Sequence, residues 1–305
     1  MIEIVNFGGW PNCVRLSNSE AELIITTDVG PRIIRFGMVN GPNLLHVSEA
    51  ELGRTGGQEW HIYGGHRLWH APEVMPRTYF PDNFPVRHFI EDNVLKLVQC
   101  VEATTGIVKE MDIALDHETN HVRITHRLIN TTQWTIETAA WAITAHAAGS
   151  LAILPQEPYV DPELDLLPAR PIVLWKYTRM TDKRWTWGSE YILLKNDPGY
   201  TSEQKIGILN KQGWNAVILG SSLMIKKFAF DPDAVYPDFG SNNEAYVNGN
   251  LLETESLGPL TAIKPGESVS HSEEWFLLPF DNTQIINSEE SVRKYVRPLI
   301  DRVIG

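Results

Sequence analysis

Three runs, VLKLVQCVEA, GIVKEMDIALD and HVRITHRLIN, follow one another with only TTG and DHETN between them. Connections this short, rich in turn formers, leave room for antiparallel hairpins and for little else. In VRITHRLIN, Val122, Ile124 and His126 alternate with Arg123, Thr125 and Arg127. That two-residue period predicts a strand with one buried face and one wet face. ELIITTD and IIRFGMV flank the turn VGPR, and KIGILN, WNAVILG, LMIKKFAF, LLETESLG and SVSHSEEWFLL extend the pattern. Pro265-Gly266 suits a type II turn before the last of them. A chain built this way is expected to be all-β: a large antiparallel two-sheet β-sandwich forming one domain over residues 1–305. Residues 282–305 are expected to add a C-terminal helical extension. There Ser288 is a fitting N-cap, and Val292, Tyr295, Val296, Leu299 and Val303 share a face.

Composition removes several functions. A net charge of −12 without a segregated basic patch argues against nucleic acid. No run approaches the roughly 20 apolar residues of a membrane helix, and MIEIVNFGGWPNC is unlike a secretory signal. The expected location is cytoplasmic, with Cys13 and Cys100 as two buried thiols rather than a disulfide. Oligomeric state is left open.

Nine of the ten histidines fall between residues 46 and 146, so chemistry is sought there first. EWHIYGGHRLWHAPE packs histidine, arginine, tryptophan and glutamate into a stretch that Gly64-Gly65 and Pro72 mark as irregular, and RTYFPDNFP follows. A sugar offers apolar C–H faces beside many hydroxyls; aromatic rings suit the first, and charged or amide groups the second. His66, Arg67, Trp69, His70, Glu73, Asp82 and Asn83 are therefore candidate sugar-binding residues, with Tyr79 nearby. The alternatives are a metal site using His61, His66, His70 and Glu73, and histidines and tryptophans that only wedge loops in place. Between residues 155 and 200, prolines and aromatics, among them Trp175, Trp185 and Trp187, mark a long excursion between sheets.

Two further segments attract notice. In LLETESLGPL a strand would put Glu253 and Glu255 on one face, where the pair could supply a general base or merely face solvent. In TAAWAITAHAAG, His146 ends an apolar strand among small residues, as a core histidine or as an accessible acid.

Taken in order, EWHIYGGHRLWHAPE, AAWAITAHAAG and LLETESLGPLTAIKPGESVSHSEEWFLL resemble the galactose mutarotase-like superfamily, the aldose 1-epimerases and their relatives. The resemblance covers roughly residues 14 to 280. It implies the large sandwich known as a supersandwich and a carbohydrate ligand. It also implies cofactor-free interconversion of sugar anomers, with Glu253 as base and His146 as acid. His66 and Arg67, with His70 as an alternative, would hold hydroxyls. Tyr63 stands before Gly64-Gly65 where the epimerases have histidine, and Ala147 and Ala148 follow His146 where they have bulky residues. The competing functions are a glycan-binding module without catalysis and a metal-assisted or lyase-type carbohydrate enzyme.

Overall fold

The computed structural model describes residues 1–304 as two antiparallel sheets packed face to face. Their strands follow the short alternating runs of the sequence, because period-two patterning lets each strand bury one face. The first sheet runs, in spatial order, through Ile2–Phe7, Trp10–Ser17, Ala21–Thr26, Arg32–Met38, His66–Ala71, Ile136–His146, Leu252–Leu257, Asn243–Val247, Gln204–Ile208 and Ile172–Leu174. Thr261–Ile263 adds a short pairing to the start of Ile136–His146. The second sheet is centred on Ser222–Phe228, Ser268–Pro279, His121–Asn130 and Ile107–Leu115. Between them lies the main core, where Leu68 and Ala140 of the first sheet meet Ile124, Met224 and Trp275 of the second. In His121–Asn130, Val122, Ile124 and His126 are buried while Arg123 is exposed, as the alternation requires.

GGHRLWHAPE is not an irregular segment throughout: His66–Ala71 is a central strand, buried at every position. Both of its faces are covered, so polar and aromatic residues occur on each and the usual contrast between faces disappears. Gly64 and Gly65 turn the chain into it with φ of +99° and +70°. A Cβ on Gly65 would stand 2.1 Å from the Ile33 carbonyl oxygen, and one on Gly64 would stand 2.2 Å from that of His46. Only glycine admits backbone that close at these angles.

The C-terminal extension is two helices, Glu289–Tyr295 and Arg297–Ile304, not one. Ser288 caps the first, its hydroxyl accepting from the Ser291 amide. Pro298 explains the break, since it has no N–H to give and its ring crowds the carbonyl one turn back. Val292, Val296 and Ile300 are buried against Trp214 and Ile225 of the second sheet. Neither helix is long and apolar enough to cross a membrane. Cys13 is buried as expected, whereas Cys100 is exposed, and both are free thiols.

Gly65→Ala is expected to lower stability by more than about 2 kcal/mol, combining a left-handed backbone cost with a backbone collision. Chemical denaturation measures it; a loss under about 0.5 kcal/mol would mean the turn can relax at little cost.

Candidate functional site

Strand parity decides which side chains can meet. On His66–Ala71, Arg67 and Trp69 face away from the second sheet, while His66, Leu68 and His70 face it. On the neighbouring strand Trp141 pairs with Trp69 and Ile143 with Arg67; beyond it Glu255 pairs with Ile143, and Glu253 with Tyr246. The outward residues form the floor of a cleft of about 410 Å³. Trp60, Trp69, Trp141 and Trp175 supply indole walls, and Tyr79, Tyr177 and Tyr246 supply phenols.

Two cations sit under these rings, each held by carboxylate. Arg67 donates to Glu253 at 2.9 Å and stacks over Trp69 at 4.6 Å. Lys205 lies 2.9 Å from Glu255 and 2.7 Å from Glu244, with Trp141 and Trp175 at 4.6 and 4.8 Å. Trp141 donates its indole N–H to Glu255 as well. Burial favours neutral Lys205, yet the two carboxylates outweigh it and hold the ammonium well above its ordinary range. Burial pushes Glu253 up from the usual carboxylate range; Arg67 opposes that rise and Glu255 adds to it. A glutamate that binds its proton more tightly than usual, beside a cation and at the wall of a cleft, is placed to exchange a proton with a ligand there.

The expected site residues divide sharply. Arg67, Trp69, Glu73 and Glu253 line the cleft, and Glu255 lies just beneath it against Lys205. His66, His70 and His146 do not reach it. His146 pairs with Leu252 across the strands, one position from the pair Ala145 and Glu253, so its ring points between the sheets. There its Nε2 meets the Thr254 hydroxyl at 2.8 Å. His146 and Glu253 therefore occupy opposite faces of one sheet and cannot act across one sugar ring. His70 pairs with buried Glu102 at 3.3 Å. Asp82 and Asn83 are buried scaffold: Asp82 binds Arg32 at 2.6 Å, and Asn83 accepts from Tyr63 at 3.0 Å. His61 pairs with Glu51, so His61, His66, His70 and Glu73 do not assemble as metal ligands.

Sequence reasoning missed Trp141, Tyr177, Glu203, Lys205, Glu244 and Tyr246. Lys205 could have been found: it alternates with Gln204 and Ile206 in a strand whose other residues are all buried. Tyr177 lies in the aromatic stretch already suspected, two residues after Trp175.

The inward histidines form a second polar group. His66, His126 and Glu273 bring their ligand atoms within 4.8 Å of one another, the spacing of a metal site. Their hydrogen bonds form a continuous directed chain instead. Lys226 donates to Thr144 at 2.8 Å, leaving the threonine proton for His66 Nδ1 at 2.9 Å. His66 Nε2 then donates to His126 Nε2 at 2.7 Å, and His126 Nδ1 donates to the His271 carbonyl at 2.9 Å. Glu273 accepts from Lys226, Ser256 and Trp275. His271 donates its Nε2 proton to Ser256 at 2.6 Å. Every ring nitrogen of His66 and His126 and both Glu273 oxygens are occupied, so an ion would have to break bonds already made.

A slightly larger groove, about 510 Å³, lies beside the C-terminal helices. Two of its polar groups are already paired, His121 with Glu274 at 2.8 Å and Asn120 with Glu20 at 3.0 Å. It offers no convergent charged floor.

No family model matches the chain, and no curated protein matches it. Solved structures do, at identities that speak for the fold alone. A galactose mutarotase-like protein from Lactobacillus casei matches with a TM-score of 0.57 at 9% identity, over 88% of this chain and 100% of that one. A galactose mutarotase related enzyme from Lactobacillus acidophilus gives 0.52 at 8%, over 90% and 100%. A TPR-domain containing protein from Parabacteroides distasonis gives 0.58 at 11% over 91% of this chain, which spans only 49% of it. The chain has the galactose mutarotase-like fold.

Burial drives His66 and His126 below the ordinary histidine range, and takes His271 to about 4 and His146 to about 3. These rings are neutral in the folded protein. Their contribution to stability is full above the unfolded value of about 6.5 and is lost as pH falls through the window down to the folded values. Denaturant titrations from pH 7 to 4 should show stability falling steeply below about 6.5. His146→Gln, which can keep the Thr254 contact, should flatten the slope by up to about 1.4 kcal/mol per pH unit. An unchanged slope would mean that His146 is as free to protonate in the folded state as in the unfolded one.

Proposed function

We propose that the protein binds a monosaccharide-sized carbohydrate in the tryptophan-walled cleft and interconverts its anomers, with Glu253 as the base. The observation carrying this reading is the Arg67–Glu253 pair: a buried glutamate with raised proton affinity, 2.9 Å from a guanidinium, at the wall of a cleft lined by four indoles. Indole faces suit the C–H faces of a pyranose, and Arg67, Asn248 and the phenols offer directional partners to its hydroxyls. The names of the mutarotase-like neighbours agree with a sugar ligand.

The chemistry follows from the groups present. Glu253 takes the proton of the anomeric hydroxyl while a donor gives one to the ring oxygen. The ring C–O bond breaks, the aldehyde rotates, and closure on its other face reverses both transfers. With His146 behind the sheet, the donor must come from the cleft. Tyr177 lines it and makes no side-chain hydrogen bond among the described residues, whereas the hydroxyl of Tyr79 is bonded to Glu73 and that of Tyr246 to Glu203. Tyr177 is the proposed donor to the ring oxygen.

A second reading, a glycan-binding module without turnover, is favoured by one specific observation: among the described residues no imidazole lines the cleft. Tyr177 is a weaker acid than a histidine, and burial weakens it further.

Saturation-transfer NMR on a panel of aldoses separates the two. Glu253→Gln is expected to slow anomer exchange by at least about 100-fold, the usual scale of a general base. The wild-type rate should lose its acidic limb at a pH above the ordinary carboxylate range, because Glu253 must be ionised to act. Sugar-dependent chemical-shift changes with exchange no faster than in buffer would leave binding and remove catalysis.

A further inference from the structure

Resting on the sugar-cleft reading, we infer that the preferred ligand class is an amino sugar, a polyol carrying a free ammonium group, and that acidic sugars are rejected. The ground is the charge left over once the cleft's own pairs are formed. Arg67 is neutralised by Glu253, and Lys205 by Glu244 and Glu255. Glu73 and Glu203 also line the cleft, both are exposed, and neither forms an ion pair among the described residues. Their only side-chain partners are phenol hydroxyls, of Tyr79 for Glu73 and of Tyr246 for Glu203, at 3.0 Å in the second case. A phenol donor fills one lone pair of a carboxylate and leaves its charge unmatched.

An entering ligand therefore meets two uncompensated negative charges at the mouth and no free positive one behind them. A phosphate or uronate would be repelled there, whereas an ammonium group would find an acceptor. The walls favour the same sign of charge. All four indoles already lie within cation–π range of a cation, Trp60 and Trp69 beside Arg67, and Trp141 and Trp175 beside Lys205. The remainder of a polyol has its own partners. Asn248 and the phenols of Tyr79, Tyr177 and Tyr246 line the cleft and offer directional partners to its hydroxyls.

The test compares matched sets of sugars in the gluco, galacto and manno series: the 2-amino sugar, its N-acetyl form, the neutral hexose and the uronate. Binding is measured by titration calorimetry or NMR at pH 6.5 and low salt. In the series that binds, the amine is expected to bind about fivefold tighter than the neutral hexose, the scale of a partly exposed charge contact, with the gain shrinking in salt. The uronate should bind more weakly than the hexose, and N-acetylation should abolish the advantage. In the Glu73→Gln, Glu203→Gln double variant the amine-to-hexose ratio should collapse towards one. A uronate that binds as tightly as the hexose, or an amine advantage that survives in the double variant, overturns the inference. Binding of neutral hexoses without any gain from the amine overturns it too, yet leaves the sugar cleft standing. Failure of every sugar in all three series removes both.

Discussion

The structure depends on an ion pair within its second sheet that is buried against the back of the first. Lys226, on the second sheet, lies 2.8 Å from Glu273, and neither side chain is more than 1% exposed. Burying two charges is costly unless their remaining hydrogen-bonding capacity is met. Here it is met: Lys226 also donates to the Thr144 hydroxyl and the Thr254 carbonyl, and Glu273 also accepts from Ser256 and Trp275. Thr144, Thr254 and Ser256 all belong to first-sheet strands that carry the cleft floor on their other side. The pair thus ties the back of the floor to the second sheet. Apolar packing alone would resist separation of the sheets but would resist sliding less, because it is not directional. Hydrogen bonds of fixed length and angle hold the strands in register.

Register matters because the outer face is a set of charges with little freedom. Arg67, Glu253, Glu255, Glu244 and Lys205 come from four strands, and their contacts of 2.7 to 2.9 Å exist only while those strands stay aligned. Indoles packed over the two cations keep water from screening them. Charges fixed in advance in a partly desolvated site need no rearrangement when a ligand arrives, which is the condition under which electrostatics contribute most to recognition and catalysis. The inner and outer polar groups are thus two sides of one device. Behind the sheet, polarity fixes position; in front, it is available for chemistry.

Much of the fold was legible from turn residues and from period-two alternation in strands covered mainly on one face, such as Val94–Val98, His121–Asn130 and Ser268–Pro279. His66–Ala71 was not, because both of its faces are buried and both carry polar groups. The same condition hid the division of the site. Glu253 and Glu255 could be placed on one face from their spacing alone, and the structure puts them there. His146 could not be related to Glu253, since relative facing depends on how two strands pair, and pairing register is not written in either strand. Asp82 and Asn83 sit in a loop with a composition well suited to binding sugar, yet their partners Arg32 and Tyr63 are 50 and 20 residues away. Long-range partners of this kind leave no local signature. The tryptophans were a better guide, because a large ring in an irregular segment has to cover something, and Trp60 and Trp175 cover the cleft.

The position of His146 bears on more than one residue. A two-residue period means that moving a side chain across a sheet takes a one-residue shift of the whole strand, with every neighbour changing sides. In Ile136–His146 such a shift would carry Trp141 and Ile143 into the core and send Ala140, Ala142 and Thr144 outward, emptying the cleft wall and breaking the bond to Lys226. His146 is therefore locked behind the sheet by the same alternation that places Trp141 in front of it. Any chemistry in the cleft has to be drawn from outward residues, and these offer carboxylates, two paired cations, phenols and indoles. Histidine-rich as the chain is, His66, His126, His146 and His271 serve the join between the sheets, and the proposed function rests on the carboxylates and aromatic rings on the other side.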